Sequence, residues 1–497
     1  MNNYDDFDQD HAHPLDCPGV VAILGWGKSG QAAAAALVQR KFRVVGFDQN
    51  EPVNRGGTDQ EKILADIPVH VCPSEEEMAE ALLQVDPSLV VVSPGIAPHH
   101  LAWKAAHNHG LPVWGEAELA WQLQERGPHA GRPWLTVTGT NGKTTTTGML
   151  ASILAANGER VQAVGNIGQP ITQVIDSDAD VFAVELSSFQ LASSQSVSAQ
   201  ASVCLNVDAD HLDWHETQEN YAAAKARVYE HTQVACVYPA QDRRVERMVE
   251  EADVVEGARA IGITLGIPAP SQVGIVDGDL VDRAFVPRRF HEAQLLASLE
   301  DLTHLSGKHP SAAILWDALA AAALARAHGV SPQAVSDGLR TYQSAPHRRA
   351  VIAQAADLTW IDDSKATNAH AARASLSGIP AGTAIWIAGG DAKGQRFDDL
   401  VSTVAPLLRG VVLIGVDRAP LREALQAQAP HIPVVEVDGH EDWMFSVVNE
   451  AVALSRPGDT VVLAPATASW DQFAHYGQRG DAFRDAVERL AQQWAQS

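Results

Sequence analysis

The sequence predicts an α/β protein of three domains, each with its own sheet. Three observations carry that prediction. Strand-length apolar runs alternate with helical patterns from residue 20 onward, the alternation that produces parallel sheets. Two glycine turns, "GWGKSG" and "GTNGKTT", each follow such a run and open a helix. At 497 residues the chain exceeds what one hydrophobic core organises.

The first block opens with "GVVAILGWGKSGQAAAAALVQRKFRVVGFD". It reads as a strand, a glycine turn, an alanine-rich helix and a second strand ending in Asp48. A GxGxxG turn from Gly25 to Gly30, with an acid about 20 residues on, is a Rossmann-like dinucleotide fingerprint. Taken alone it indicates a nicotinamide-dependent oxidoreductase. "SLVVVSPGI" adds a strand that ends in a turn holding Ser93 and Gly95. Residues 1–18 read as an acidic, disordered lead without the apolar stretch of a signal peptide. The domains are placed at 19–115, 116–345 and 346–497.

The second block is the central, phosphate-loop domain, with a parallel or mixed sheet. In "VTGTNGKTTTTGML" Val137 stands where the first glycine of the common phosphate loop would fall, so the loop is the shorter GxxGKT. Gly139 and Gly142 let backbone N–H groups converge on phosphate oxygens, and the next helix points its N-terminus there. Lys143 supplies charge, and the Thr144 hydroxyl can join a Mg²⁺ shell. The order strand, Gly, Gly-Lys-Thr, helix favours nucleotide binding over a threonine-rich helix cap.

Two further apolar runs in this block, "ADVFAVELSS" and "ASVCLNVDADH", end in polar clusters, and strand ends of an open α/β sheet should meet at the ligand. Glu185 at one end suits Mg²⁺. Ser187 and Ser188, each taken alone, read better as helix caps. The second end gathers Asp208, Asp210, His211, Asp213 and His215, with His211 as the metal candidate. Lys225 shares a helical stripe with Tyr221, Val228 and Tyr229. Elementary physics favours a snorkelling lysine there. The alternative is a desolvated amine able to add CO₂ and become a metal-binding carbamate. "VGIVDGDLVDRAF" predicts a hairpin turning at Asp277-Gly278, and "DALAAAALARAHGV" a helix ended by Gly329.

The third block, with "LTWIDDSKATN", "TAIWIAGGDAKG", "GVVLIGV" and "TVVLAPATASWDQF", is a second Rossmann-like α/β domain. The net charge of −25 repels nucleic acid and anionic membrane in bulk. An anionic substrate therefore needs a local grip of N–H groups, Lys and Arg. Four well-separated cysteines, with Cys204 inside an apolar run, fit a reducing compartment.

With "GTNGKTT", "ELSSFQL", "NVDADHLDWH" and "YAAAK" in this order, the chain resembles the Mur ligase family, ATP-dependent amide ligases of peptidoglycan precursor synthesis. "PHRRAV", "DDSKATN", "GGDAKG" and "PATASWDQFAHYGQRGDAF" are similar to the members that add D-glutamate to UDP-N-acetylmuramoyl-L-alanine. The resemblance implies that ATP is held by Gly139, Thr140, Asn141, Gly142, Lys143, Thr144 and Thr145, with Asp317, Arg348, Asp363 and Lys365 on the nucleotide side of later segments. It implies two Mg²⁺ sites, one on Thr144 and Glu185 and one on His211 and carbamylated Lys225. Lys143, His211 and Lys225 would be the catalytic set. Gly27, Ser29, Gly30, Asp48, Ser93 and Gly95 would hold the UDP group, with Asn166 and Ser187 near the acceptor's alanine. Thr367, Lys393, Ser469 and Tyr476 would hold D-glutamate. A cytoplasmic monomer without nucleic-acid or membrane partners is implied as well.

Two departures stand out. Tyr476 replaces a phenylalanine of some relatives. The HNxxN segment of many relatives is absent: Pro310 follows His309, and Asp317 falls at the register of the later asparagine. A folate-polyglutamate-type ligase shares the phosphate loop, but the GxGxxG domain argues against it.

Overall fold

A computed structural model of the chain describes residues 13–16, 19–51, 63–208, 210–306, 310–344, 346–392, 394–439 and 442–495. Two compact units result. The first runs to Ile263 and takes back Ala323–Val330; the second holds Thr264–Ala322 and the chain from Ser331.

The first unit contains two sheets. Strands β1 (Val20–Leu24), β2 (Arg43–Asp48), β3 (Val69–Val71), β4 (Pro87–Val92) and β5 (Val113–Gly115) form an all-parallel sheet in the order β3-β2-β1-β4-β5. The order reverses beside β1, which puts the switch point at the glycine turn after that strand. The helix Lys28–Gln39 lies close to the sheet because Ala32–Ala36 are small and buried.

The second sheet of this unit joins β6 (Trp134–Thr138), β7 (Val161–Gly165), β8 (Val181–Glu185), β9 (Ala201–Cys204), β10 (Ala235–Pro239) and β11 (Arg259–Ile263). Its parallel order is β11-β10-β9-β6-β8-β7. Strands β6 and β8 are buried at every residue, as a sheet covered on both faces requires. Trp134 is fully buried, meets Trp121 edge-on at 5.2 Å and donates to Gln124 Oε1 at 2.9 Å. Trp121 and Gln124 lie on the helix Glu116–Glu125, directly after β5, so the two sheets share one core.

The lead is a correction for part of its length. Pro14–Asp16 form a short helical turn. His13 hydrogen-bonds Gln122 at 3.0 Å, its ring lies 5.5 Å from Trp114, and Asp16 pairs with Arg126 at 3.2 Å. Those partners, about a hundred positions away in the chain, order residues that look disordered locally. The remainder of the lead and Cys17 lie outside the described residues.

In the second unit β12 (Gln272–Val276), β13 (Asp279–Asp282) and β14 (Gln294–Ser298) are antiparallel. The hairpin turns at Asp277 (φ 51°) and Gly278 (φ 90°), a two-residue turn of the sequence-expected kind. The helix Ala312–His328 begins in this unit, runs into the segment Ala323–Val330 of the first and stops at Gly329, φ 100°. Strands β15 (Ala350–Ala355), β16 (Leu358–Asp362), β17 (Ala384–Gly389), β18 (Leu408–Ile414), β19 (Val434–Glu436) and β20 (Thr460–Leu463) form the third sheet. Its order is β15-β16-β20-β17-β18-β19, parallel except for β15. No helix among the described residues is long and apolar enough to cross a membrane.

Candidate active site

The phosphate loop leaves β6 at Thr138 and enters the helix Lys143–Ala156. Gly142 caps that helix at φ 85°, a left-handed conformation that costs a side-chain-bearing residue. The loop is braced from β9: Thr140 N donates to Asn206 O at 3.0 Å, and Asn141 N to Asn206 Oδ1 at 2.9 Å. Thr140 Oγ1 in turn receives Asp208 N at 3.0 Å. Lys143 Nζ donates to Gly139 O at 2.8 Å and to Thr140 O at 3.0 Å.

The strand ends do meet. Val137 pairs with Glu185, and Thr138 with Cys204. Glu185 is 1% exposed. Its Oε2 accepts the Thr144 hydroxyl at 2.6 Å, and its Oε1 accepts Asn166 Nδ2 at 2.7 Å. A carboxylate and a hydroxyl are hard oxygen donors beside a phosphate cradle, and they fit Mg²⁺. Among the described residues no three His, Cys, Asp or Glu side chains converge. The protein therefore offers part of a shell, and phosphate oxygens suit the rest.

Lys225 does not snorkel, contrary to the elementary expectation. It is 1% exposed, its Nζ donates to Gly139 O at 2.8 Å, and it lies 4.7 Å from the centre of the Tyr221 ring. Tyr221, Val228 and Tyr229, its companions on the stripe, are buried as well. Burial, then the Lys143 charge, pulls its ammonium down to about 7. Tyr221 donates to or accepts from Thr140 Oγ1 at 3.0 Å, which ties this helix to the loop.

His211 sits at φ 51° with its side chain 49% exposed and Nε2 3.6 Å from Asp210 Oδ2. Its ring stands edge-on to Phe189 at 4.8 Å and 6.5 Å from Tyr221. His215 is buried and bonded to Ser188 Oγ at 2.9 Å. Ser187 caps the helix Ser188–Ala192 in a reciprocal box with Gln190, which is the cap reading of that serine. The side chain of Asp213 lies outside the described set.

At the first sheet's switch point, Gly30 cannot carry a Cβ: it would stand 2.0 Å from Gly25 O. Ser93 Oγ donates to the same carbonyl at 2.7 Å. Asp48 accepts Trp26 N at 2.6 Å and Asn50 N at 2.9 Å, so it shapes the turn's backbone. Gly27 caps the helix that Ser29 enters, and Gly95 has open space where a Cβ would be.

A separate cluster lies in the second unit. Lys365 Nζ stands 4.1 Å over the Tyr476 ring, and Lys365 N donates to His347 O at 3.1 Å. Thr367 N donates to Lys365 O at 2.7 Å. Ser469 is buried and opens the turn to Phe473. Desolvation pushes the Asp363 carboxyl up to about 6, against the Ser375 hydroxyl and the Arg349 charge. Asp317 is buried on its helix, and Arg348 is half-buried. Lys393 and His309 lie outside the described residues.

Sequence reasoning missed the residues that hold this cluster. Arg479 is 1% exposed and donates to Ser364 Oγ and O, Thr467 O and Ala468 O. Burial pulls it down to about 10. His347 and Asp362 are 2.7 Å apart and buried. Arg479 shares a helical stripe with the buried Phe483, Ala486 and Leu490, the same signal that Lys225 gives.

A glycine turn at one switch point and a phosphate loop with its strand-end acid define an α/β protein of the nucleotide-binding class. Residues 19–115 match the "Mur ligase MurD-like, N-terminal domain", 137–267 the "Mur ligase middle domain" and 347–467 the "Mur ligase, glutamate ligase domain". The chain belongs to the Mur ligase family. A protein of Streptomyces coelicolor named UDP-N-acetylmuramoylalanine–D-glutamate ligase is 52% identical, covering 95% of this chain and 98% of its own. One of Thermobifida fusca with the same name is 44% identical over the same shares. Among solved structures, a pseudomurein peptide ligase type C from Methanothermus fervidus has a TM-score of 0.56 at 17% identity, covering 95% of this chain and all of that one. MurF ligase from Thermotoga maritima in complex with ADP has a TM-score of 0.56 at 15% identity, covering 96% and 95%. These two share the fold.

Proposed function

We propose that the chain joins D-glutamate to UDP-N-acetylmuramoyl-L-alanine in peptidoglycan precursor synthesis, with ATP converted to ADP and phosphate. The observation that carries this is near full-length identity of 52% to a ligase of that name. The Thr144–Glu185 pair beneath a phosphate loop supports it chemically.

The acceptor's alanine carboxylate attacks the γ-phosphorus of ATP, giving an acyl phosphate and ADP. The D-glutamate amine then attacks the acyl carbon and gives up a proton, and the acyl C–O bond breaks with its electron pair leaving on phosphate. Lys143 and the loop N–H groups hold the triphosphate and offset charge as two anions approach. Mg²⁺, held by Thr144 and Glu185 and at a second site by His211 and carbamylated Lys225, would neutralise phosphate charge. Lys225 is suited to that modification because burial leaves a share of its amine neutral near pH 7. The turn Gly25–Gly30 with Asp48, Ser93 and Gly95 takes the UDP diphosphate, and Asn166 and Ser187 the alanine end. Thr367, Lys393, Ser469 and Tyr476 take D-glutamate; Asp317, Arg348, Asp363 and Lys365 serve the nucleotide. We take the enzyme to be a cytoplasmic monomer.

The test is phosphate release with ATP, Mg²⁺, the UDP acceptor and single amino acids. D-glutamate alone should drive it. Release with another amino acid, or with none, overturns the assignment.

A further inference from the structure

The loop from Gly165 to Thr172 is fastened from three directions. At its start Asn166 donates twice to Glu185, N to O at 2.9 Å and Nδ2 to Oε1 at 2.7 Å. At its middle Gly168 O accepts Lys28 Nζ at 2.6 Å. At its end Glu116 Oε1 accepts Thr172 N at 2.7 Å and Thr172 Oγ1 at 2.8 Å. Lys28 is the first helical residue after the glycine turn, beside Ser29 and Gly30. Glu116 is 2% exposed and follows β5 directly. Two residues on, Glu118 accepts Gln195 N and Ser196 N at 2.7 and 2.9 Å, next to the helix that Ser187 caps.

One short loop thus links the diphosphate turn of the first sheet to the acid at the foot of the phosphate loop. We propose that this loop is a bracket that fixes the span between the two cradles, and that Lys28 and Glu116 are positioning residues for the nucleotide-sugar acid. The proposal rests on the acceptor assigned above. A substrate that places its diphosphate in one cradle and its carboxylate at the other needs that span held within a fraction of an ångström. A backbone loop alone does not hold it. An ammonium-to-carbonyl bond from the helix after β1 and a buried carboxylate from the helix after β5 do, because charge-assisted bonds are short and directional.

The test uses the full-length protein. Steady-state phosphate release is measured with each substrate varied in turn, and acceptor binding by calorimetry without turnover. Lys28→Met should raise the acceptor KM and Kd together by about five- to tenfold, the loss of one hydrogen bond exposed to solvent. The KM for ATP and for D-glutamate should not move, and Lys28→Arg should restore most of the affinity. Glu116→Ala should give the same pattern, whereas Glu116→Gln, which keeps a carbonyl acceptor for Thr172, should stay near wild type. An unchanged acceptor Kd in Lys28→Met overturns the bracket. So does an equal rise in all three KM values with a lowered melting temperature, which marks a merely structural fastening. Absence of D-glutamate-dependent release by the wild type would sink the functional reading instead, and the acceptor-binding arm would still judge the bracket.

Discussion

Replacing Lys225 by methionine isolates the energetic effect of burying an ammonium in the apolar stripe. The wild-type group titrates near 7 in the folded chain and at its ordinary 10.5 when unfolded. Between those values the unfolded state binds a proton that the native state does not, so stability rises with pH. The slope is about 1.4 kcal/mol per pH unit for one such group. Below pH 7 both states are protonated and the slope vanishes. Going from pH 7.5 to 9.0 should therefore stabilise the wild type by about 2 kcal/mol more than Lys225→Met. Urea unfolding of both proteins, side by side in CO₂-free buffer with chelator, reads this as a difference of differences. Every other titrating group then cancels. Parallel pH profiles for the two proteins would refute the argument and put the ammonium in contact with water.

Three further outcomes follow from the geometry. Thr144→Val removes the 2.6 Å bond to Glu185; D-glutamate-dependent phosphate release should fall about 100-fold while acceptor binding by calorimetry holds. Trp134→Ala empties a fully buried site under Trp121 and should destabilise by about 3–5 kcal/mol, read by denaturant midpoint. Asp363→Asn concerns a carboxyl raised from 3.8 to about 6. The native state binds the extra proton between those values, so wild-type stability falls as pH rises through that window. The asparagine variant should lack that fall of about 3 kcal/mol, and a wild-type profile in the variant would place the shift on another group.

Much of this was legible in the sequence because the signals are local. Glycine turns after apolar runs, a helix stopped at Gly329 and a hairpin at Asp277-Gly278 depend on a few neighbouring residues. So does the meeting of Glu185 with the phosphate loop, once parallel order is granted. What escaped depends on distant partners. The stripe through Lys225 was visible, but its direction was set by the Gly139 carbonyl, 86 positions away. The order at His13 comes from Trp114 and Gln122. "PHRRAV" shows two arginines but not which one is structural: Arg349 spends its guanidinium on Ser311, Ser375 and Ser377, and Arg348 does not share those bonds. Arg479 carries the stripe signal too, yet a single arginine in a long amphipathic helix is commonly solvated.

Two ammonium groups lean on the single carbonyl of Gly139, so the Lys143 charge adds to burial in making the Lys225 proton harder to keep. Triphosphate oxygens drawing on Lys143 would ease that mutual repulsion and return proton affinity to Lys225. The share of neutral amine at Lys225, the form that adds CO₂, is thus larger before nucleotide arrives than after, which makes the sequence of events at this carbonyl as consequential as its geometry.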